Sequence, residues 1–229
     1  VFFQESYKFA SIFQTVPIFS LSNNTSANNG HIYACGLSPQ EEIETVFKYM
    51  RKKRIKSLTM FVPEGELFKS VSLIVRREAT KYNMAEENFN AVSYKESEDL
   101  SEIVQNSNAS AIFAFEPVQS ETAEVFTMSS LALSNPEKWE GAKFVYADSE
   151  DQRKFIEEYK KIFHMTPTVI SLAAYDVMKM ISESTMEHKE IFDEDYYGTL
   201  GRFRIKKDKG IIRNLRMFKI ENGEKVSDL

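Results

Sequence analysis

Ser57-Leu-Thr-Met-Phe-Val-Pro-Glu-Gly65 is an apolar, β-favouring run stopped by a proline and a glycine. Ala111-Ile-Phe-Ala-Phe115 is a second continuous apolar run of strand length. Short runs of this kind, apolar at every position, are the mark of strands buried on both faces of a parallel sheet. The segments around them have helical spacing. Leu67, Val71, Ile74, Val75 and Tyr82 share one face of a helix reaching about Lys81, and Asp99–Asn106 is helical after an extended Asn88–Tyr94. Upstream, Ser38-Pro-Gln-Glu41 is a helix start, with serine as N-cap, proline first and glutamate third. Ile43, Val46, Phe47 and Met50 then form its buried stripe. Val118–Met128 also has helical spacing. The centre of the chain is therefore βαβαβ, and the fold class is α/β with helices covering a mostly parallel sheet.

The flanks extend this pattern. Ser6–Gln14 is helix-compatible, Val16–Leu21 and His31–Cys35 are extended, and Lys143–Ala147 (KFVYA) is a strand. Ser149–Phe163 is an amphipathic helix marked by Phe155, Ile156, Tyr159, Ile162 and Phe163, and the more uniformly apolar Thr168–Ser182 is a buried one. Gly198–Ile220 consists of antiparallel strands with a turn at Asp208–Gly210. Between the first two strands lies Pro17-Ile-Phe-Ser-Leu-Ser-Asn-Asn-Thr-Ser-Ala-Asn-Asn29, which contains no charged residue. By itself this stretch is either a shelf of neutral hydrogen-bonding groups for a ligand or a polar connector.

Composition narrows the function classes. The 229 residues carry a net charge of −5, which disfavours a nucleic-acid surface. The basic run Arg51-Lys-Lys-Arg54 ends a helix, where cations complement the dipole. Cys35 is the single cysteine, so no internal disulfide or cysteine-based metal cluster forms, and His31, His164 and His188 make no ligand pair. The expectation is no metal and no cofactor. No run reaches the length of a membrane span. The VFFQESYKF start lacks a basic leader region and meets Glu5 and Lys8 too soon for a signal peptide. The turns after the strands (VPEGELF, FEPVQSE, YADSEDQ) hold no phosphate-cradling glycine pattern, and no GxSxG is present. Carboxylate pairs such as Glu86-Glu87 and Glu157-Glu158 read as solvated surface, and Cys35 as a structural core thiol. An enzyme is not expected. In an open α/β sheet ligands bind beyond the carboxyl ends of strands, which singles out Phe68, Phe115 and Tyr146 among the aromatics.

VPIFSLSNN, an amphipathic helix, then a strand and VPEGELFKS together resemble the type I periplasmic binding proteins, which include the branched-chain amino acid receptors. Trp139-Glu-Gly-Ala-Lys-Phe-Val-Tyr-Ala-Asp148, followed by FIEEYKKIFHMTPTVISLAAYDVMKMI, is similar to the strand, helix, F-x-x-x-P and helix run of that group. Gly198-Thr-Leu-Gly-Arg-Phe-Arg204 with Gly210 and Arg213 is similar to its closing segment, most of all in the penicillin-binding protein activators. The resemblance covers essentially the whole chain.

The resemblance implies a two-lobed fold, each lobe a mostly parallel sheet flanked by helices, with hinge closure around a ligand in an interlobe cleft. Crossings near Gly36, Asp148 and Gly210 would assign 1–36 and 148–210 to lobe 1, and 37–147 and 211–229 to lobe 2. The family carries a long run ahead of its VPIFS-like strand, so lobe 1 is expected to be incomplete here. Ser20, Ser22, Asn23, Asn24 and Thr25 would contact the ligand from lobe 1, and Phe68, Glu116 and Tyr146 from lobe 2 or the crossover. The aromatic-glycine pair of amino acid receptors aligns with Leu67-Phe68, a departure that bears on amino acid recognition. The implied function is non-catalytic, extracytoplasmic binding of a small polar, amino-acid-like molecule, with an ABC permease as partner. The alternative is a regulator of peptidoglycan synthases working through protein contacts. Either would be periplasmic, with a lipid anchor supplied from an upstream segment.

Overall fold

The computed structural model describes residues 8, 11–12, 15–24, 30–65, 68–95, 98–208 and 210–228. Of the helix expected over Ser6–Gln14, only residues 8, 11 and 12 are among the described residues, and they are helical. The chain divides into two compact units, Val1–Ser38 with Ala147–Asn214, and Pro39–Tyr146 with Leu215–Leu229.

The second unit holds the stretch that decides the fold. Strands β3 (Leu58–Pro63), β4 (Phe89–Tyr94), β5 (Ala111–Ala114), β6 (Glu124–Thr127) and β7 (Lys143–Tyr146) pair in parallel, and β11 (Arg216–Glu221) and β12 (Glu224–Ser227) add an antiparallel hairpin. The order is β12-β11-β7-β6-β5-β3-β4. Every residue of β5 is buried, as its uninterrupted apolar sequence demands. Helix α1 (Pro39–Lys52) starts on its proline, carries Glu41 and Glu42 in its first turn and ends on Arg51 and Lys52, a charge order that suits its dipole. It buries Ile43, Val46, Phe47 and Met50 on Leu58, Met60, Phe113, Phe126 and Val145. Helix α2 (Lys69–Lys81) adds Val75 and Ala79 to the same core. A short α3 (Ser101–Gln105) precedes β5, and α4 (Ser129–Ala132) follows β6.

Val118–Met128 does not form the expected helix. Its second half is β6, which pairs with β5 and β7 and buries Val125 and Phe126. A short apolar run satisfies either period, and the open position between β5 and β7 decides in favour of the strand.

The first unit contains β1 (Ile18–Ser20) parallel to β2 (Ile32–Ala34), helices α5 (Glu150–Phe163) and α6 (Val169–Glu187), and the antiparallel sheet β10-β9-β8. Those three strands are β8 (Asp195–Gly198), β9 (Gly201–Lys206) and β10 (Gly210–Arg213). Tyr33, Cys35, Val177, Met180, Tyr196, Phe203, Ile205 and Ile211 form its core. Burial pushes the Cys35 thiol up to about 12, so it behaves as an inert apolar group. Because Gly210–Arg213 pairs with β9, this unit continues to Asn214, beyond the glycine expected to mark the crossing.

Both helices have side-chain caps. Ser149 accepts the Gln152 N–H (3.2 Å) and Thr168 accepts that of Ser171 (3.2 Å). They end on His164 and His188, each in the left-handed region. A buried carboxylate organises the β8–β9 turn. Asp176 Oδ1 accepts the Thr199 N–H (2.6 Å) and hydroxyl (2.8 Å), and Oδ2 accepts the Leu200 N–H (3.1 Å) and Arg213 Nη1 (2.9 Å). Gly198 is required beside it, since a Cβ there would stand 2.3 Å from Oδ1. Ser149 donates to the Gly198 and Thr199 carbonyls (3.0 Å each), and Gln152 Nε2 donates to the latter (3.1 Å). The start of α5 is thereby tied to the same turn.

Candidate functional site

The expected contact residues fall at two strand-end edges, one in each unit. In the first unit, β1 and β2 run parallel, so Ser20–Asn24 and Cys35–Gly36 leave the same edge. Ser20 is fully buried; its carbonyl accepts the Cys35 N–H (2.7 Å) and its hydroxyl accepts that of Ser22 (3.3 Å). Ser22 is half-buried, accepts the Gly36 N–H on its carbonyl (3.0 Å), and receives the Asn24 N–H on its hydroxyl (3.1 Å). Asn23 and Asn24 are exposed, and Thr25 lies outside the described residues. Serine hydroxyls thus satisfy the loop's own backbone, an arrangement that fixes its course.

Gly36 is the residue that sequence reading did not connect to this loop. A Cβ there would lie 2.9 Å from the Asn23 nitrogen, 2.9 Å from the Ser22 carbonyl oxygen and 3.0 Å from that of Leu21. All three are backbone atoms, so no side chain can rotate away. Gly36→Ala is expected to displace Leu21–Asn23 and destabilise the first unit by about 1–3 kcal/mol. Hydrogen exchange would show it as faster amide exchange across residues 20–24 and 35–36; unchanged protection there would contradict the expectation.

In the second unit, β3 and β5 are neighbouring parallel strands, and the segments beyond both carry site residues. Phe68, immediately ahead of α2, is half-buried, and its ring centroid lies 4.8 Å from that of Phe115. Phe115 also meets Phe113 edge-on at 5.5 Å, which braces the pair on the core. Glu116 follows directly and is half-buried. Phe68 and Phe115 therefore form one aromatic pair, and Glu116 is the residue that follows it in the chain. The parallel order of the sheet also brings β6 to this edge, where Glu42 accepts the Ser129 N–H (2.9 Å).

Tyr146 stands apart from this group. It is buried at the end of β7, its ring meeting Phe218 edge-on at 6.4 Å with Lys225 Nζ 4.7 Å from its centroid. The β11–β12 hairpin covers it, so its ring is a packing surface within the second unit. Nearby, Lys143 Nζ lies 2.6 Å from the Tyr49 hydroxyl and 2.9 Å from both Glu124 and Asp228. This cluster ties α1, β6, β7 and the C-terminal segment together. Among the described residues no group of histidine, cysteine and carboxylate side chains could hold a metal ion. No described helix is long and apolar enough to cross a membrane.

No protein-family model matches the sequence, and no curated protein matches it. Solved structures do match the fold. A leucine binding protein from Thermotoga maritima aligns with 100% of this chain and 77% of its own at 15% identity and a TM-score of 0.67. A solute binding protein from Rhodopseudomonas palustris, in complex with p-hydroxybenzoic acid, aligns over 99% and 74% at 17% identity and a TM-score of 0.70. A substrate-binding protein from Desulfitobacterium hafniense, in complex with leucine, aligns over 97% and 77% at 13% identity and a TM-score of 0.68. The structural neighbours are type I periplasmic binding proteins, and the chain has their fold. They are receptors of transport systems; the likeness to penicillin-binding protein activators finds no support among them.

Proposed function

We propose that this chain is a non-catalytic, periplasmic receptor for a small polar molecule, delivering it to an ABC permease. The observation that carries this reading is the similarity of fold over essentially the whole chain to solute receptors, two of which hold leucine and p-hydroxybenzoic acid. On this reading each unit corresponds to one lobe of such a receptor. Ser22, Asn23 and Asn24 present neutral donors and acceptors from the first unit; Phe68 and Glu116 serve the second. Ser20 and Tyr146 act from behind, through packing. The Phe68–Phe115 aromatic face suits the apolar end of a compact ligand, and neutral donors and acceptors suit its polar end.

Isothermal titration of the chain with a panel of amino acids and hydroxybenzoates tests this. A binder with a dissociation constant in the micromolar range or below is expected. Phe68→Ala should weaken it at least about tenfold, since truncating a packed aromatic contact removes on the order of 1.4 kcal/mol or more. Absence of heat and of any thermal stabilisation across the panel would overturn the reading.

A further inference from the structure

The seven-stranded sheet of the second unit ends on two strands that differ in how their outer edges are guarded. Strand β12 is four residues long and carries Glu224 and Lys225. Strand β4, at the opposite edge, is six residues long, Phe89-Asn-Ala-Val-Ser-Tyr94, and holds no charge and no proline. Short length, charge and proline keep open edges from pairing, and β4 has none of them.

The hydrogen bonding of β4 fixes which of its backbone groups face out. It pairs in parallel with β3 alone, and the Tyr94 carbonyl accepts the Glu64 N–H (2.8 Å). Alternation along the strand then turns the backbone groups of Asn90, Val92 and Tyr94 toward β3, and those of Phe89, Ala91 and Ser93 away from the sheet. The Phe89 N–H donates to the Glu86 carbonyl. The Phe89 carbonyl and both backbone groups of Ala91 and Ser93 have no hydrogen-bond partner among the described residues. Phe89 and Ala91 pack their side chains on the core, while Asn90 and Ser93 are exposed. The strand is thus anchored on its inner side and presents two N–H donors and three carbonyls along its outer one.

Charge is confined to the flanks. Between residues 84 and 99 the sequence holds Glu86, Glu87, Glu96, Glu98 and Asp99 against the single base Lys95, and all of these lie outside β4. Glu98 sits against Lys95, its carboxylate accepting the Lys95 N–H (3.2 Å). Arg76 of α2 lies over the Phe89 ring, 5.6 Å from its centroid, on the helix-covered face of the strand. A second copy pairing along this edge would set acidic flank against acidic flank, whether its strand ran parallel or antiparallel. Like-charge repulsion therefore opposes self-pairing, and a strand with basic ends meets the opposite condition.

We infer that the β4 edge is a docking site for an extended peptide segment of a partner protein, uncharged in its middle and carrying lysine or arginine at both ends. Backbone pairing supplies the affinity, and the acidic flanks select the partner. No proposed ligand contact lies on β4, so this docking is separate from the receptor reading.

Fluorescence anisotropy of labelled peptides titrated with the whole chain is the test. The probe KKTVTVKK, with β-branched residues between basic ends, is expected to bind, and more weakly as salt is added. KKTPTPKK keeps the charge but loses strand donors, and EETVTVEE keeps the strand but inverts the charge; each should bind at least about tenfold more weakly. Ala91→Pro removes an N–H that faces away from β3, so the sheet's own ladder survives and circular dichroism should not change. It should weaken KKTVTVKK at least about tenfold. Glu86→Lys/Glu87→Lys leaves the strand untouched and should weaken KKTVTVKK while strengthening EETVTVEE. No binding of KKTVTVKK, equal binding of KKTPTPKK, or indifference to both variants would overturn the inference. So would a dimer of the chain that Ala91→Pro dissociates, since the edge would then belong to a second copy.

Discussion

Asp176→Ala is expected to destabilise the first unit by roughly 3–5 kcal/mol, because it strands the buried Arg213 cation and frees three donors of the β8–β9 turn. Asp176 is fully buried, and the Arg213 side chain is exposed by 1%. Arg213 has little else to rely on. Nη1 also donates to the Leu200 carbonyl (3.3 Å), and the guanidinium lies over the Phe203 ring at 4.9 Å, but Nε and Nη2 find no hydrogen-bond partner among the described residues. Hydrogen exchange over 195–206 would register the loss as collapse of protection. The fluorescence of Trp139, the only tryptophan and buried in the second unit, serves as the internal control. Asp176→Leu combined with Arg213→Met should cost less than the two single changes added, since removing both charges leaves neither uncompensated. It should not reach wild-type stability, because the Thr199 and Leu200 amides still lose their acceptor. Equal protection in wild type and Asp176→Ala would show that the turn is held by something else.

This hub also shows what the sequence could and could not convey. Asp176 and Arg213 are each ordinary residues in their own segments, and only the β8–β9–β10 meander brings them together. Residues whose role is set by their own neighbourhood were legible: the all-apolar Ala111–Ala114 strand, the Ser38-Pro39 helix start, and the helices that begin after Ser149 and Thr168. Glu124–Thr127 was not, because four residues cannot distinguish a strand from a helical turn without knowledge of the open slot beside β5. The site divides in the same way. Strand order alone puts Phe68 and Glu116 at a strand-end edge, and the neighbouring pairing of β3 with β5 explains why Phe68 meets the Phe115–Glu116 segment. The covering of Tyr146 by Phe218 and Lys225, and the approach of Gly36 to the Ser22 carbonyl, depend on pairings distant in the chain.

The second unit is expected to lose stability as pH rises from about 4.5 to about 7, and Glu42 is the cause. Its carboxyl is buried at the start of α1, and desolvation raises it from 4.5 to about 7 despite the hydrogen bonds it receives from Ser129. The folded state therefore holds a proton that the unfolded chain releases near 4.5. A group with a raised folded value contributes its full stabilisation below the unfolded value, and that contribution fades as pH climbs through the folded one. Over this interval the decline amounts to roughly 3 kcal/mol, at about 1.4 kcal/mol for each pH unit between the two values. Other carboxylates work in the opposite direction at lower pH. Asp228 is held below its usual value; burial alone would raise it, but hydrogen bonds from Lys143 and Tyr49 outweigh that. Its stabilisation is lost on acidification, and the two slopes together place maximal stability of this unit in the mildly acidic range. Glu42→Gln separates them: the amide oxygen still accepts the Ser129 N–H, but nothing ionises. In urea titrations followed by Trp139 fluorescence, the variant should be flat between pH 5 and 7 where wild type declines. It should be the more stable protein above about pH 7, a reversal that a merely structural role for Glu42 would not produce.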